Sequence, residues 1–129
     1  MHTSDLARRF ILEIWQENRL DQLPLLTTPD FIDHAYNPGT IEGHRKMAQT
    51  LRLAIPDATW SIERLTCEGD IAVAELRLTG HQSGPFRDHP PSGKPVDARQ
   101  YRTFRFVDGK LAEHWALFDT ATLLRQIAH

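Results

Sequence analysis

Beyond Pro56 the apolar residues of this chain recur with period two, and they keep that period through four successive runs. The runs are Ala58 to Thr66, Ile71 to His81, Val96 to Val107 and Leu111 to Phe118. Alternation of this kind marks strands that bury one face. Glu68-Gly69-Asp70 separates the first two runs, and Asp108-Gly109 separates the last two. A two-residue Asp-Gly step between alternating runs is among the strongest local hairpin signals. Between the middle runs, Gln82 to Pro95 carries four of the eight prolines and reads as a loop. The second half of the chain is therefore a long antiparallel meander.

The first half has a different rhythm. Leu6, Phe10 and Ile14 recur four apart, with Ile11 and Trp15 widening the stripe, so a helix is expected from Thr3 or Ser4 to about Asn18. A short helical piece is expected at Asp21 to Leu26, broken by Thr27-Thr28-Pro29-Asp30. Phe31 to Tyr36 reads as extended and ends in the turn Asn37-Pro38-Gly39. Gly43 to Ala54 reads as a helix with Met47, Leu51 and Ala54 on one side, stopped by Pro56. A terminal helix follows Asp119. Helices first and a meander after them predict an α+β domain with a curved antiparallel sheet wrapped around the helices. At 129 residues, 40% of them apolar, the chain suits one domain with one core, spanning residues 1–129.

Composition removes several classes. A net charge of −2 without a Lys/Arg run argues against nucleic acid. Cys67 stands alone, so no internal disulfide forms. No signal peptide or membrane-spanning run is visible, and the expectation is a cytoplasmic protein without membrane contact. The seven histidines include no His-x-x-x-His spacing. A set of His34, His81 and Asp119 is conceivable, but no metal is expected. No glycine-rich phosphate loop is present, and no organic cofactor is expected.

Register arithmetic from the Asp108-Gly109 turn sets Phe104 opposite Glu113, Arg102 opposite Trp115 and Gln100 opposite Leu117. Glu113, Trp115, Leu117 and Asp119 then share one face with them, the wall of a partly polar cavity. Tyr101, Thr103, His114 and Phe118 fall on the other face. In the earlier hairpin, Trp60, Ile62 and Arg64 are expected beside Val73, Glu75 and Arg77, with Ser61 and Glu63 beside Leu76 and Leu78.

A set of ordered motifs adds a family. The segments Phe31-Ile32-Asp33-His34, Pro38-Gly39, Glu42-Gly43, Pro56-Asp57 and Gly80 are followed by Gly84-Pro85-Phe86 and Pro90-Pro91-Ser92-Gly93-Lys94-Pro95-Val96. After these come Phe104 to Trp115, Asp119 and Leu123-Leu124-Arg125-Gln126. Together they resemble the SnoaL-like polyketide cyclase branch of the nuclear-transport-factor-2-like, or ketosteroid-isomerase-like, superfamily. The resemblance implies a cone-shaped α+β fold with a deep pocket, a homodimer, and ring closure by aldol condensation without a cofactor. It places a proton-shuttling acid at Asp119. Family members often read Gly-Thr-His before the Gly-x-Phe loop. Here the run is Gly80-His81-Gln82-Ser83, with Gln82 in the place of that histidine.

Asp119 has two readings, proton shuttle and N-cap of the last helix. His34 is read either as an enolate-stabilising imidazole or as a packed histidine. Arg77 and Glu75 form either an ion pair or, through Arg77, a ligand contact. Arg102 and Trp115 form a cation–π pair or line the ligand slot. Glu113 is a second pocket carboxyl or a salt-bridge partner, and Tyr36 an oxyanion donor or a packing residue. Three functions stay open. The first is a cyclase or isomerase acting on a small apolar carbonyl compound, and the second a binding module using the same pocket. The third is an interaction domain pairing through Tyr101, Thr103 and Phe118.

Overall fold

The computed structural model describes residues 2–128. Helix α1 (Thr3–Phe10) runs directly into a π-helical segment, Ile11–Gln16. There the Glu17 N–H donates to the Leu12 carbonyl at 2.8 Å, five residues back. Of the stripe read from the sequence, Phe10, Ile11, Ile14 and Trp15 are enclosed, joined by Ala7, and Leu6 is partly buried. A 3₁₀ turn (Leu20–Gln22) leads into α2 (Leu23–Leu26).

Strand β1 (Thr27–Asp33) departs from expectation. The segment expected to break the chain, Thr27 to Asp30, belongs to an edge strand. It pairs parallel with β5 (Lys110–Phe118), and its register is irregular between Thr27 and Ile32. Pro29 sits inside that irregularity, where a residue without an N–H is tolerated. Helix α3 (Ile41–Ala54) follows and buries Gly43, His44, Ala48, Leu51 and Ala54. Gly43 is the contact that lets α3 start where it does, since a Cβ there would lie 1.9 Å from the Pro38 carbonyl oxygen.

The meander is β2 (Thr59–Glu68), β3 (Ile71–His81), β4 (Pro95–Val107) and β5, close to the expected ranges. The sheet order is β1-β5-β4-β3-β2. Helix α4 (Thr120–Ile127) packs on β4. The core lies between the helices and one sheet face, where Val96, Ala98, Phe104 and Phe106 of β4 meet Leu76 and Leu78 of β3.

Both hairpins correct the expected register by the same device. In β5 the pairing passes from Phe106 with Leu111 to Arg105 with Glu113, so Ala112 is a bulge residue. In β2 it passes from Arg64 with Glu75 to Ile62 with Leu76, so Glu63 is one too. An extra residue in one strand reverses every side chain beyond it. Trp60 and Ile62 therefore pair with Leu78 and Leu76, in place of Ser61 and Glu63. On β5, His114 pairs with Phe104 and Ala116 with Arg102, while Glu113 and Trp115 turn to the outer face and Leu117, largely exposed, borders the cavity described below. The faces of β4 stand as read, with Gln100, Arg102 and Phe104 inside.

Candidate functional site

At the centre of the core lies a cluster of polar side chains, all taken from buried positions of different elements. Asp33 ends β1, His44 opens α3, and Arg102 and His114 face each other across β4 and β5. The Asp33 carboxylate accepts from His44 Nδ1 (2.8 Å), His114 Nδ1 (3.1 Å) and the Ala35 N–H (2.9 Å). Trp15 Nε1 donates to His44 Nε2 (2.9 Å), and Arg102 Nη1 donates to His114 Nε2 (3.1 Å). Those two donors assign the protons. Each imidazole accepts at Nε2 and is neutral, with its hydrogen on Nδ1 directed at Asp33. Arg102 Nε donates to Gln100 Oε1 at 3.2 Å, and its guanidinium lies 3.6 Å from the centroid of the Trp15 ring. Arg52 of α3 donates to the carbonyls of Trp15 (2.7 Å) and Gln16 (2.9 Å), which fixes the indole in place.

The electrostatics follow from burial. Burial pushes the His44 pKa down, and it pushes His114 down to about 3. Burial works to raise Asp33, but the hydrogen bonds from His114 and His44 outweigh it and hold the carboxyl well below its usual range. Arg102 is drawn down by burial and held up by Tyr36 and Asp33. The cluster is thus one carboxylate and one guanidinium joined through a neutral imidazole. Arg102 Nη2 has no hydrogen-bond partner among the described residues.

Above the cluster opens a cavity of about 250 Å³ between α3, the β4–β5 floor and the loop after β3. Met47, Leu51, Phe86, Ala116 and Phe118 form apolar walls. Tyr36 and Gln100 supply the polar floor, and Arg87 stands among the lining residues. Burial raises the Tyr36 pKa, so its hydroxyl is a neutral donor at neutral pH. Gln100 spends its oxygen on Arg102, which leaves its amide N–H groups for a ligand. No Asp or Glu lines this cavity.

The residues singled out from the sequence divide between this site and the outside. Tyr36 lines the cavity, and Arg102 lies beneath it with Gln100. The cation–π contact expected of Arg102 forms with Trp15 rather than Trp115. Trp115 is on the outer face, stacked on His34 with ring centroids 4.8 Å apart. His34 Nε2 and Glu113 meet at 2.7 Å, and Arg105 reaches the same carboxylate at 2.6 Å. Of the neighbouring Asp33 and His34, Asp33 is the one that points inward. Arg77 and Glu75 do not pair with each other. Arg77 forms a two-pronged ion pair with Asp97, and Glu75 binds Arg99 at 3.0 Å.

Asp119 is exposed and caps α4. Its carboxylate accepts from the Thr122 N–H (3.1 Å) and hydroxyl (2.7 Å), which together lower its pKa. The expected wall of Glu113, Trp115 and Asp119 is thus on the far side of the sheet, because of the Ala112 bulge. Phe118, expected outside, lines the cavity. His81 pairs with Asp57 at 2.7 Å, apart from His34 and Asp119. Among the described residues, Asp33, His44 and His114 bring ligand-type atoms within 4.8 Å of one another. As bonded here, both Nδ1 atoms carry protons and both Nε2 lone pairs are engaged, so no imidazole lone pair is free for a cation.

His44, His114 and Gln100 were missed as site residues. His44 lies three and seven residues before Met47 and Leu51, so the helical stripe already contained it. The inward turn of His114 depends on the bulge.

This architecture, a helix-filled curved sheet with a cavity over a polar core, defines the class. The sequence model of the SnoaL-like polyketide cyclases matches residues 5–127, and the chain belongs to that family. Solved structures agree. TsrD from Streptomyces laurentii is 30% identical, with a TM-score of 0.81 over 95% of this chain and 92% of its own. IdmH from Streptomyces antibioticus, a candidate polyketide cyclase, is 26% identical, with a TM-score of 0.85 over the full length of both. A SnoaL-like polyketide cyclase from Agrobacterium tumefaciens shares the fold at 21% identity, with a TM-score of 0.80 over 98% of each chain. No curated protein matches the chain. No helix is long and apolar enough to cross a membrane among the described residues.

Proposed function

We propose that the chain is a cofactor-free cyclase or isomerase-type enzyme for a small apolar, polyketide-like carbonyl compound. The observation that carries this reading is the presence of two neutral donors, Tyr36 and Gln100, in the lining of a cavity whose walls are mostly apolar. A carbonyl oxygen set between them is polarised, and the charge it gains on reaction is stabilised in a site of low polarity. Arg102 stiffens the arrangement by holding the Gln100 oxygen. With no carboxylate in the lining, the substrates that fit are those whose own chemistry makes the α-proton acidic. A methylene flanked by two carbonyls meets that need. In such a ring closure the methylene loses a proton, its carbon bonds to the acceptor carbonyl carbon, and the acceptor oxygen takes a proton.

The absence of a lining carboxylate also favours a second reading, a binding module that holds such a compound unchanged. Nonane-2,4,8-trione distinguishes the two, because its aldol closure and loss of water give an absorbing cyclohexenone. The enzyme reading expects cyclisation above the buffer rate, falling at least about tenfold in Tyr36→Phe. Binding without acceleration would leave the binding module.

We further infer a homodimer. Its support is the outer sheet face, where Leu117 is 77% exposed beside Tyr101 and Val73. Sedimentation of the purified chain at micromolar concentration tests it, and a monomer would overturn it.

A further inference from the structure

The cavity's one charged lining residue is Arg87, and its placement is fixed by the loop that carries it. Residues 86–89 form a tight reversal, with the Phe86 N–H donating to the His89 carbonyl at 3.0 Å and the His89 N–H donating back at 2.9 Å. Arg87 takes φ +52 at the first corner, a left-handed conformation that a non-glycine residue adopts at a cost. The loop is pinned from inside by Gln82, which is fully buried. Its amide nitrogen donates to the carbonyls of Gly84 (3.0 Å) and Pro90 (3.1 Å), and its oxygen accepts the Ser92 N–H (3.0 Å). Arg87 is therefore displayed from a braced hairpin.

Arg87 also has no counter-ion. Most arginines of this chain are matched: Arg9 with Glu13, Arg77 with Asp97, Arg99 with Glu75 and Arg105 with Glu113. Arg87 forms no ion pair among the described residues, and its guanidinium lies 5.4 Å from the centroid of the Phe86 ring, itself a cavity wall. Asp88, next to it in the reversal, does not line the cavity. In the floor, Asp33 offsets the charge of Arg102, so the site's unbalanced charge is that of Arg87.

We propose that the natural ligand is an organic anion, a carbonyl compound bearing a carboxylate that Arg87 holds at one end while Tyr36 and Gln100 hold its carbonyl at the other. This rests on the cavity assigned above and names the substrate class within it. The volume of about 250 Å³ lies below the roughly 300–1,000 Å³ of typical ligand pockets, which suits a short acid better than an extended neutral polyketide.

The test uses two probes of matched shape, 4-oxo-4-phenylbutanoate and 1-phenylpentane-1,4-dione, in which a carboxylate is exchanged for an acetyl group. Titration calorimetry on the whole protein measures both. The acid is expected to bind about fivefold more tightly at low salt, the range for a partly exposed ion pair. That preference shrinks toward unity in 1 M NaCl. Arg87→Gln abolishes the ratio, and Arg87→Lys retains part of it. A dione that binds as well as the acid, or an acid preference that survives in Arg87→Gln, overturns the anionic class and leaves the cyclase reading standing. Failure of both probes to bind overturns this proposal together with the cavity assignment.

Discussion

Acid should unfold this protein through two histidines that no solvent reaches. His44 and His114 are neutral and fully buried, and burial depresses both pKa values, that of His114 to about 3. In the unfolded chain each titrates near 6.5. Because the folded values lie below the unfolded ones, the stability these groups contribute is complete above about pH 7. It is lost as pH falls. Between pH 7 and pH 5 a group shifted as far as His114 removes about 1.9 kcal/mol, and His44 adds to the loss in the same direction. That is a substantial part of the roughly 5–15 kcal/mol typical of a domain. Asp33 acts in the same direction lower down, since its folded value is also depressed and its contribution disappears as pH falls below about 4. Urea unfolding at pH 7, 6 and 5 reads the effect directly. With a slope of about 2 kcal/mol per molar, the midpoint should fall by at least about 1 M. His44→Gln removes one of the two groups and should reduce that pH-dependent fall, whatever it does to stability at pH 7. A wild-type loss below about 1 kcal/mol over this range, or an unchanged fall in His44→Gln, would refute the assignment of two buried neutral imidazoles.

Three further outcomes follow from the geometry. Deleting Ala112 removes the β5 bulge but leaves Arg105 opposite Glu113 and Phe104 opposite His114, so the β5 faces should keep their residues; a folded protein by circular dichroism, with a loss below about 3 kcal/mol, is expected. Gly43→Ala places a Cβ against the Pro38 carbonyl and should cost at least about 2 kcal/mol in chemical denaturation. Asp119→Asn keeps an α4 cap and should leave both melting temperature and trione cyclisation near wild type, whereas Asp119→Ala should lower the melting temperature. A loss of cyclisation in Asp119→Asn with an unchanged melting temperature would return Asp119 to the chemistry.

The sequence carried the architecture because periodicity and turn chemistry are local signals. The Asp108-Gly109 turn, the four alternating runs and the α3 stripe all read directly, and the inward face of β4 came with them. What did not read were single-residue offsets. Ala112 and Glu63 look like ordinary members of alternating runs, yet each displaces the pattern by one and exchanges inside for outside. Alternation alone therefore puts His114 on the wrong face and Trp115 in the cavity. Strand β1 was hidden for another reason. Its Thr-Thr-Pro-Asp start has the composition of a breaker, and only pairing with β5 makes it a strand. Asp33 and His34 adjoin in an extended segment where alternation lets only one face inward, but nothing local marks which, because the partner His114 lies 81 positions away.

That distance bears on how the molecule assembles. Asp33 and His114 are separated by 81 positions, and the strands that bring them together, neighbours in the sheet, are the first and last along the chain. Contacts that close so large a loop carry an entropic penalty and form slowly. On a ribosome, β1 would wait for β5 to emerge before finding its mate. Until then the aspartate and its imidazoles are bathed in solvent, so sealing the polar centre is the closing event of maturation rather than its seed.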